Sequence, residues 1–278
     1  MIALPPLDSR ATWSVRLVDA DTGETLAEHG PDTQCETASI GKIFLLIEVA
    51  RRLEDGTLAE DDRIDIPEEH RVEDSGLLYR MHDQRVTVHD AALLVGAVSD
   101  NLATNALIHL CGLDAVREVA PALGYRDTAL HDYIRNERTP DLPWTPSFGT
   151  AAELSDVMRR LGDGDVVSPA VSARVLDWLA ADTDTSMTAD AFLLDPLAHV
   201  EAEYQGLVLR HKTGSVGFAR VDVGLLRGPA AAVAYAVAAN WKTAGTDLRA
   251  PVLDGMRAVG ELIRAHASGR ARDDGGDA

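Results

Sequence analysis

Strand-forming segments stand at both ends of this chain of 278 residues, and the stretch between them is mostly helical. Apolar and polar residues alternate from Trp13 to Glu28 around the turn sequence Asp21-Thr22-Gly23-Glu24, which predicts an opening β-hairpin. Strands are predicted again over 208–212, 220–227 and 231–241. The two ends of the chain must therefore meet in one sheet lobe, with a helical lobe inserted between them.

Apolar periodicity predicts the helices of the inserted part. The first helix follows Ser39, runs through the apolar residues 40–47 and ends near Asp55, and its composition indicates burial on most sides. Further helices are predicted over 88–98, 101–111, 113–123, 151–161 and 168–180, with a last amphipathic helix over about 251–266. We predict a sheet lobe from 11–58 and 205–268, a helical lobe over 59–204 and a disordered tail over 269–278.

The charge balance argues against several classes of partner. Acidic residues outnumber basic ones by 45 to 26, which gives a net charge of -19 and disfavours nucleic acid or an anionic membrane surface. No apolar run reaches the roughly 18 residues of a membrane helix, and no secretory signal is evident. We expect a cytoplasmic protein, or a secreted one if an export segment has been removed. Reduced thiols are expected at Cys35 and Cys111.

Three short motifs carry chemistry: Ser39-Ile40-Gly41-Lys42, Ser99-Asp100-Asn101 and Lys212-Thr213-Gly214. Residues three apart on a helix share a face, so the Lys42 amine can reach the Ser39 hydroxyl. A serine needs an adjacent base to become a nucleophile, and a lysine can serve if burial and a second cation such as Lys212 lower its pKa. A helix N-terminus would also offer backbone N–H groups to a developing oxyanion.

Each motif alone has a simpler interpretation. Ser39 could be only a helix cap with Lys42 on the surface, Ser99-Asp100-Asn101 could cap a helix, and Lys212-Thr213-Gly214 could be a strand entering a turn. The chain contains only three lysines, so a chance Lys-Thr-Gly is rare, and all three motifs occurring in order favours the functional interpretation.

With these motifs, the sequence resembles the serine β-lactamase and penicillin-binding-protein superfamily, most closely class A β-lactamases. The resemblance extends from the opening hairpin to the last helix, and the 60-residue spacing from Ser39 to Ser99 suits class A. It implies an α/β plus all-α fold, with an antiparallel sheet lobe flanked by terminal helices and an inserted helical lobe. The helix that commonly precedes the first strand in that class is nearly absent, because only about a dozen residues precede Trp13.

The resemblance also implies catalytic roles. Ser39 would be the acylated nucleophile, Lys42 its general base, and Ser99 the relay of a proton to the leaving nitrogen. The backbone N–H groups of Ser39 and Ser215 would form the oxyanion hole. The deacylating carboxylate would be Glu137, with a solvated loop carboxylate as the alternative interpretation.

The loop around Glu137 departs from the family pattern. The family sequence Arg-x-Glu-Pro-x-x-Asn corresponds here to Arg135-Asn136-Glu137, followed by Arg138 in place of proline and Asp141 in place of asparagine. The segment up to Thr150 is also a few residues shorter than the usual Ω loop. These differences put the positioning of the hydrolytic water in question.

The resemblance further implies a small-molecule substrate that carries a carboxylate. Asn101 would bind a substrate amide, Lys212 and Thr213 with Ser215 would hold the carboxylate, and Arg220 would be a second cation there, unless it is an exposed strand arginine. No metal or cofactor is implied, and a monomer is expected.

These residues predict a serine hydrolase that opens a β-lactam amide through an acyl-enzyme on Ser39. The alternatives are a peptidase, esterase or acyltransferase of the same superfamily, or a homologue that binds without turnover.

Overall fold

The computed structural model describes residues 1–198, 206–242 and 245–269. Its main feature is a five-stranded antiparallel sheet with the strand order β2-β1-β8-β7-β6. The strands are β1 (Thr12–Asp19), β2 (Thr25–His29), β6 (Val208–Val216), β7 (Ala219–Arg227) and β8 (Ala232–Asn240). Strand β1 pairs directly with β8, so the two ends of the chain meet in one sheet. A smaller sheet joins β3 (Cys35–Glu36), β4 (Ala129–Leu130) and β5 (Ser147–Gly149).

The central strand β8 explains how helices cover both faces of the main sheet. Its residues are apolar and almost all buried, because each face packs against protein. Ala232, Ala234, Ala236 and Ala238 belong to the same core as α5 (Ala151–Asp163), whereas Val233, Tyr235, Val237 and Ala239 belong to the core formed with α7 (Arg249–Ser268). Alternation along one strand thus separates two hydrophobic cores.

The helical lobe is built around α1 (Lys42–Glu54), which is buried continuously from Lys42 to Ala50. The remaining helices of this lobe are α2 (Val88–Val98), α3 (Asn101–Cys111), α4 (Leu113–Ala122) and α6 (Pro169–Leu179). Four helices begin at a residue whose side chain accepts a backbone N–H of the first turn: Thr87, Asp100, Thr150 and Ser168. These caps explain why the predicted starts of α2, α3, α5 and α6 agree with the structure to within a residue.

The start of the first helix differs from the prediction. Ser39 lies inside a tight 3₁₀ turn, Ala38–Gly41, and α1 itself begins at Lys42. The turn packs against Ser147, whose hydroxyl accepts the Gly41 N–H at 3.0 Å. A Cβ at Gly41 would lie 2.5 Å from that hydroxyl oxygen. The apolar sequence pattern therefore marks the helix but not the tighter turn at its N-terminus.

The architecture confirms the predicted fold class, an antiparallel sheet lobe combined with a helical lobe. Residues 1–11 contain no helix, and α7 covers the sheet face opposite α5. The lobe boundary at 204 and the predicted tail 269–278, apart from Gly269, fall outside the described residues, so these boundaries remain predictions. Cys35 and Cys111 are buried free thiols.

Candidate active site

The three sequence motifs meet at one cleft of about 640 Å³ between the sheet lobe and the helical lobe. The motif residues that line it are Ser39, Ser99, Asn101 and Thr213, and the adjacent Ser215 lines it as well. Its volume lies within the usual range of small-molecule sites. Trp144 stands in its wall with 63% of its surface exposed, an unusual exposure for a large aromatic side chain.

Lys42 lies buried behind the cleft wall and links the first two motifs. Its Nζ donates to the carbonyl oxygen of Ser99 at 2.7 Å, to the Ser99 hydroxyl at 3.1 Å and to Asn101 Oδ1 at 2.8 Å. Complete burial, reinforced by the charge of Lys212, holds the pKa of Lys42 well below its ordinary value. A lysine in this environment can exist as the neutral amine, the form that accepts a proton.

The Ser-Asp-Asn segment is held in place by its middle residue. Ser99 ends α2 in the left-handed backbone region, with φ 54°, and Asp100 caps α3 through the N–H of Ala103. The other carboxylate oxygen of Asp100 accepts the N–H groups of Leu77 and Leu78 at 2.6 and 2.7 Å. Asp100 therefore fixes the loop before α2 against α3, which orients Ser99 and Asn101 into the cleft.

The Lys-Thr-Gly segment forms the opposite wall on β6. Gly214 is required there, because a Cβ would overlap the carbonyl oxygen of Thr37 and lie 3.1 Å from the backbone nitrogen of Ser39. The strand can thus approach the turn that carries Ser39. Lys212 is completely buried, and its Nζ lies 3.4 Å from Asp182 Oδ2 and 3.2 Å from the carbonyl oxygen of Thr213.

Arg220 lies on β7 opposite Ser215, but it is not among the described residues that line the cleft. Its guanidinium donates to the carbonyl oxygens of Val216 and Ala219, both at 2.7 Å, and stands over the ring of Trp241. These contacts hold the Arg220 side chain against its own hairpin and against Trp241, the residue that follows β8.

Two arginines hold the loop that carries Glu137 in place. Arg135 and Arg138 both form ion pairs with buried Asp132, at 3.1 and 2.8 Å, and Arg138 also donates to the carbonyl oxygens of Tyr133 and Pro143. Glu137, between the two arginines, is exposed and is not among the described cleft-lining residues. Asp141 is exposed as well.

Comparisons with known proteins identify the family of the chain. The model of the beta-lactamase enzyme family matches residues 6–266. The chain belongs to this family. A β-lactamase from Sphaerobacter thermophilus is 30% identical, with 93% of this chain and 92% of that chain covered and a TM-score of 0.77.

More distant structures share the fold of this family member. An ancestral class A β-lactamase is 24% identical over 91% of this chain and 95% of its own, with a TM-score of 0.74. PBP-A is 20% identical over 94% of this chain and 99% of its own, also with a TM-score of 0.74. A comparison with curated proteins gave no match. Family membership and the shared fold together identify the chain as a β-lactamase-like hydrolase.

Several acidic side chains of this β-lactamase-like cleft were missed by the sequence reasoning. Glu36, three residues before Ser39, lines the cleft with only 7% of its surface exposed. Burial raises the pKa of Glu36, although a hydrogen bond with Thr145 and the charge of Arg138 oppose the rise. Asp182 and Asp184 line the cleft beside Thr213. The polar sequence Gln34-Cys35-Glu36-Thr37 gives no pattern that marks Glu36 as a cleft residue.

The part of the chain that the structure describes has neither a side-chain cluster suited to a metal ion nor a helix suited to crossing a membrane. Within residues 1–198, 206–242 and 245–269, no cluster of three histidine, cysteine or acidic side chains is arranged to hold a metal ion. Over the same residues, no helix combines the length and apolar character needed to cross a bilayer.

Proposed function

We propose that this chain is a serine hydrolase that opens a β-lactam amide through an acyl-enzyme on Ser39. The observation that carries the proposal is the position of Lys42: a buried amine with a lowered pKa, hydrogen-bonded to Ser99 in the wall of the cleft that Ser39 lines. A buried lysine without a catalytic role is costly, since burial disfavours its charged form.

The acylation step follows from these contacts. Ser39 Oγ attacks the lactam carbonyl carbon while its proton passes to the neutral Nζ of Lys42. The backbone N–H groups of Ser39 and Ser215 stabilise the oxyanion of the tetrahedral intermediate. The C–N bond then breaks as Ser99 Oγ gives its proton to the leaving nitrogen and takes the proton held by Lys42 Nζ, 3.1 Å away, which returns the lysine to its neutral form. Asn101 binds the amide of the acyl side chain.

Time-resolved intact-protein mass spectrometry with benzylpenicillin tests this proposal. We expect an increase in mass equal to the whole penicillin, because ring opening releases no fragment, and peptide mapping should locate it on Ser39. An adduct that disappears with multiple turnovers supports a hydrolase, and one that persists supports the peptidase or acyltransferase alternative. Absence of any adduct with penicillin and with a chromogenic cephalosporin would overturn the proposal.

The second step, hydrolysis of the acyl-enzyme, needs a carboxylate that activates water. The family pattern offers Glu137, whose side chain is exposed outside the cleft lining, and the cleft wall itself offers Glu36. A general base works best when its pKa lies near the working pH, and burial shifts Glu36 in that direction. We therefore propose Glu36 as the water-activating carboxylate, with Glu137 as the alternative.

Two matched substitutions separate these carboxylates. Glu36→Gln is expected to slow deacylation at least about tenfold and to leave acylation within about twofold, because only the second step uses a carboxylate base. Glu137→Gln is expected to change neither step. Acylation and deacylation rate constants come from the growth and decay of the adduct. Slow deacylation in Glu137→Gln alone would contradict this assignment and return the role to Glu137.

A further inference from the structure

Protein carboxylates already occupy the end of the cleft that is expected to hold the carboxylate of a substrate. Asp182 Oδ2 accepts from Lys212 Nζ at 3.4 Å and from the backbone N–H of Thr213 at 3.1 Å. Both charged side chains of this pair are buried. The positive charge of Lys212 is therefore matched by a fixed negative charge within the protein.

Asp184 adds a second negative charge at the same place. It lines the cleft together with Thr213, and it is hydrogen-bonded to the Thr213 side chain and to Ser186, whose hydroxyl and N–H lie 2.6 and 3.2 Å from Oδ1. Because an ionised carboxylate only accepts hydrogen bonds, the Thr213 hydroxyl donates to Asp184. That hydroxyl is thus already engaged within the protein.

Asp184 is ionised under ordinary conditions. Its burial acts to raise its pKa, but the hydrogen bonds from Ser186 and Thr213, with the charge of His211, together hold the pKa below the ordinary aspartate value. The charge of Arg220 interacts with that of Asp184, but the hydrogen bonds of its guanidinium go to the carbonyl oxygens of Val216 and Ala219.

Acidic side chains outnumber basic ones along the cleft lining as a whole. The described residues that line the cleft include five carboxylates and two arginines: Glu36, Glu73, Asp74, Asp182, Asp184, Arg135 and Arg138. A cleft with an excess of one sign of charge attracts ligands of the opposite sign and repels those of its own.

We propose that Asp184 is a specificity-determining residue that selects against a carboxylate next to the scissile bond, so that the preferred substrate is an ester or amide that is uncharged or cationic at this end. This inference rests on the proposed acylation of Ser39 and deepens it. Discrimination here arises from a repulsive charge opposite the disfavoured group rather than from an added contact with the favoured one.

A pair of substrates that differ only in this charge tests the proposal: benzylpenicillin and its methyl ester. The rate constant of Ser39 acylation divided by the dissociation constant is measured for each by intact-protein mass spectrometry. In Asp184→Asn, we expect the value for the acid to rise about tenfold or more, because removal of a like charge at a few ångströms has at least this effect in a partly buried site. The value for the methyl ester should stay within about twofold.

Two further variants serve as controls. Asp254→Asn removes one negative charge from the exposed face of α7 and should leave the ratio between the two substrates unchanged. Asp184→Ser removes the charge and also the planar group that asparagine would keep. It should shift the ratio between the two substrates in the same direction as Asp184→Asn. Thermal unfolding of each variant verifies that it is folded.

The outcomes distinguish this inference from the proposed function. An unchanged ratio in both Asp184 variants, with Ser39 still acylated, would overturn the role of Asp184 and leave the acylation proposal standing. A larger loss for the acid than for the ester would also overturn it, since Asp184 would then help to bind the carboxylate. Failure of a neutral fluorophosphonate to label Ser39 in every variant would overturn both.

Discussion

Ser39→Ala is expected to abolish covalent modification by benzylpenicillin and to lower β-lactam turnover by several orders of magnitude, up to about 10⁶-fold. Ser39 contributes the only atom that bonds to the substrate carbonyl in the proposed mechanism, and it lines the cleft three residues before the buried Lys42. Alanine fits the 3₁₀ turn Ala38–Gly41 without steric demand, so the fold should be preserved. Intact-protein mass and absorbance turnover measure the two losses.

A control for this substitution is Ser9→Ala, which changes an exposed serine ahead of β1. It should give the adduct and the turnover of the wild type. Three other serines line the same cleft and are the residues on which an adduct could otherwise form: Ser75, Ser99 and Ser215. An adduct in Ser39→Ala that maps to one of these three serines would show that the nucleophile has been assigned to the wrong hydroxyl.

Local signals in the sequence predicted most of the architecture. The helices with side-chain caps were placed nearly to the residue, because a cap such as Thr87 or Ser168 acts within its own first turn. The apolar run over 231–241 predicted a strand, and the structure shows that this strand, β8, is covered on both faces. The convergence of the three motifs on one cleft followed from the family resemblance, since about 60 residues separate the first motif from the second.

The positions of several acidic side chains at the cleft depend on tertiary contacts, which local sequence signals do not reveal. Glu137 is exposed because the arginines on either side of it form ion pairs with Asp132. The spacing of residues in the sequence does not show whether the arginines or the glutamate will turn toward the protein interior. Asp182 and Asp184 follow α6 in a segment without a motif, and they reach Thr213 from about 30 residues away in sequence. The charge balance of the substrate end of the cleft therefore became visible only in three dimensions.

Lys42→Met is expected to slow Ser39 acylation by about 10²–10⁴-fold, the usual contribution of a general base. Methionine preserves the apolar length of the side chain but has no nitrogen to accept the Ser39 proton. Lys42→Arg should not restore the rate, because a guanidinium stays protonated. The matched control is Lys242→Met, which removes an ammonium from an exposed position and should acylate at the wild-type rate.

The pH dependence of acylation provides a further test of Lys42. Burial, with the charge of Lys212, lowers its pKa, so the neutral and proton-accepting form dominates above that lowered value and is lost as the pH falls through it. The acylation rate should therefore rise with pH and level off well below pH 10. Lys212→Met removes the nearby cation and should move this rise to higher pH, whereas Lys212→Arg keeps the charge and should leave it in place. Identical pH profiles of acylation in the wild type and in Lys212→Met, with Ser39 modified in both, would exclude Lys42 as the titrating base, because loss of the Lys212 charge must move the pKa of Lys42.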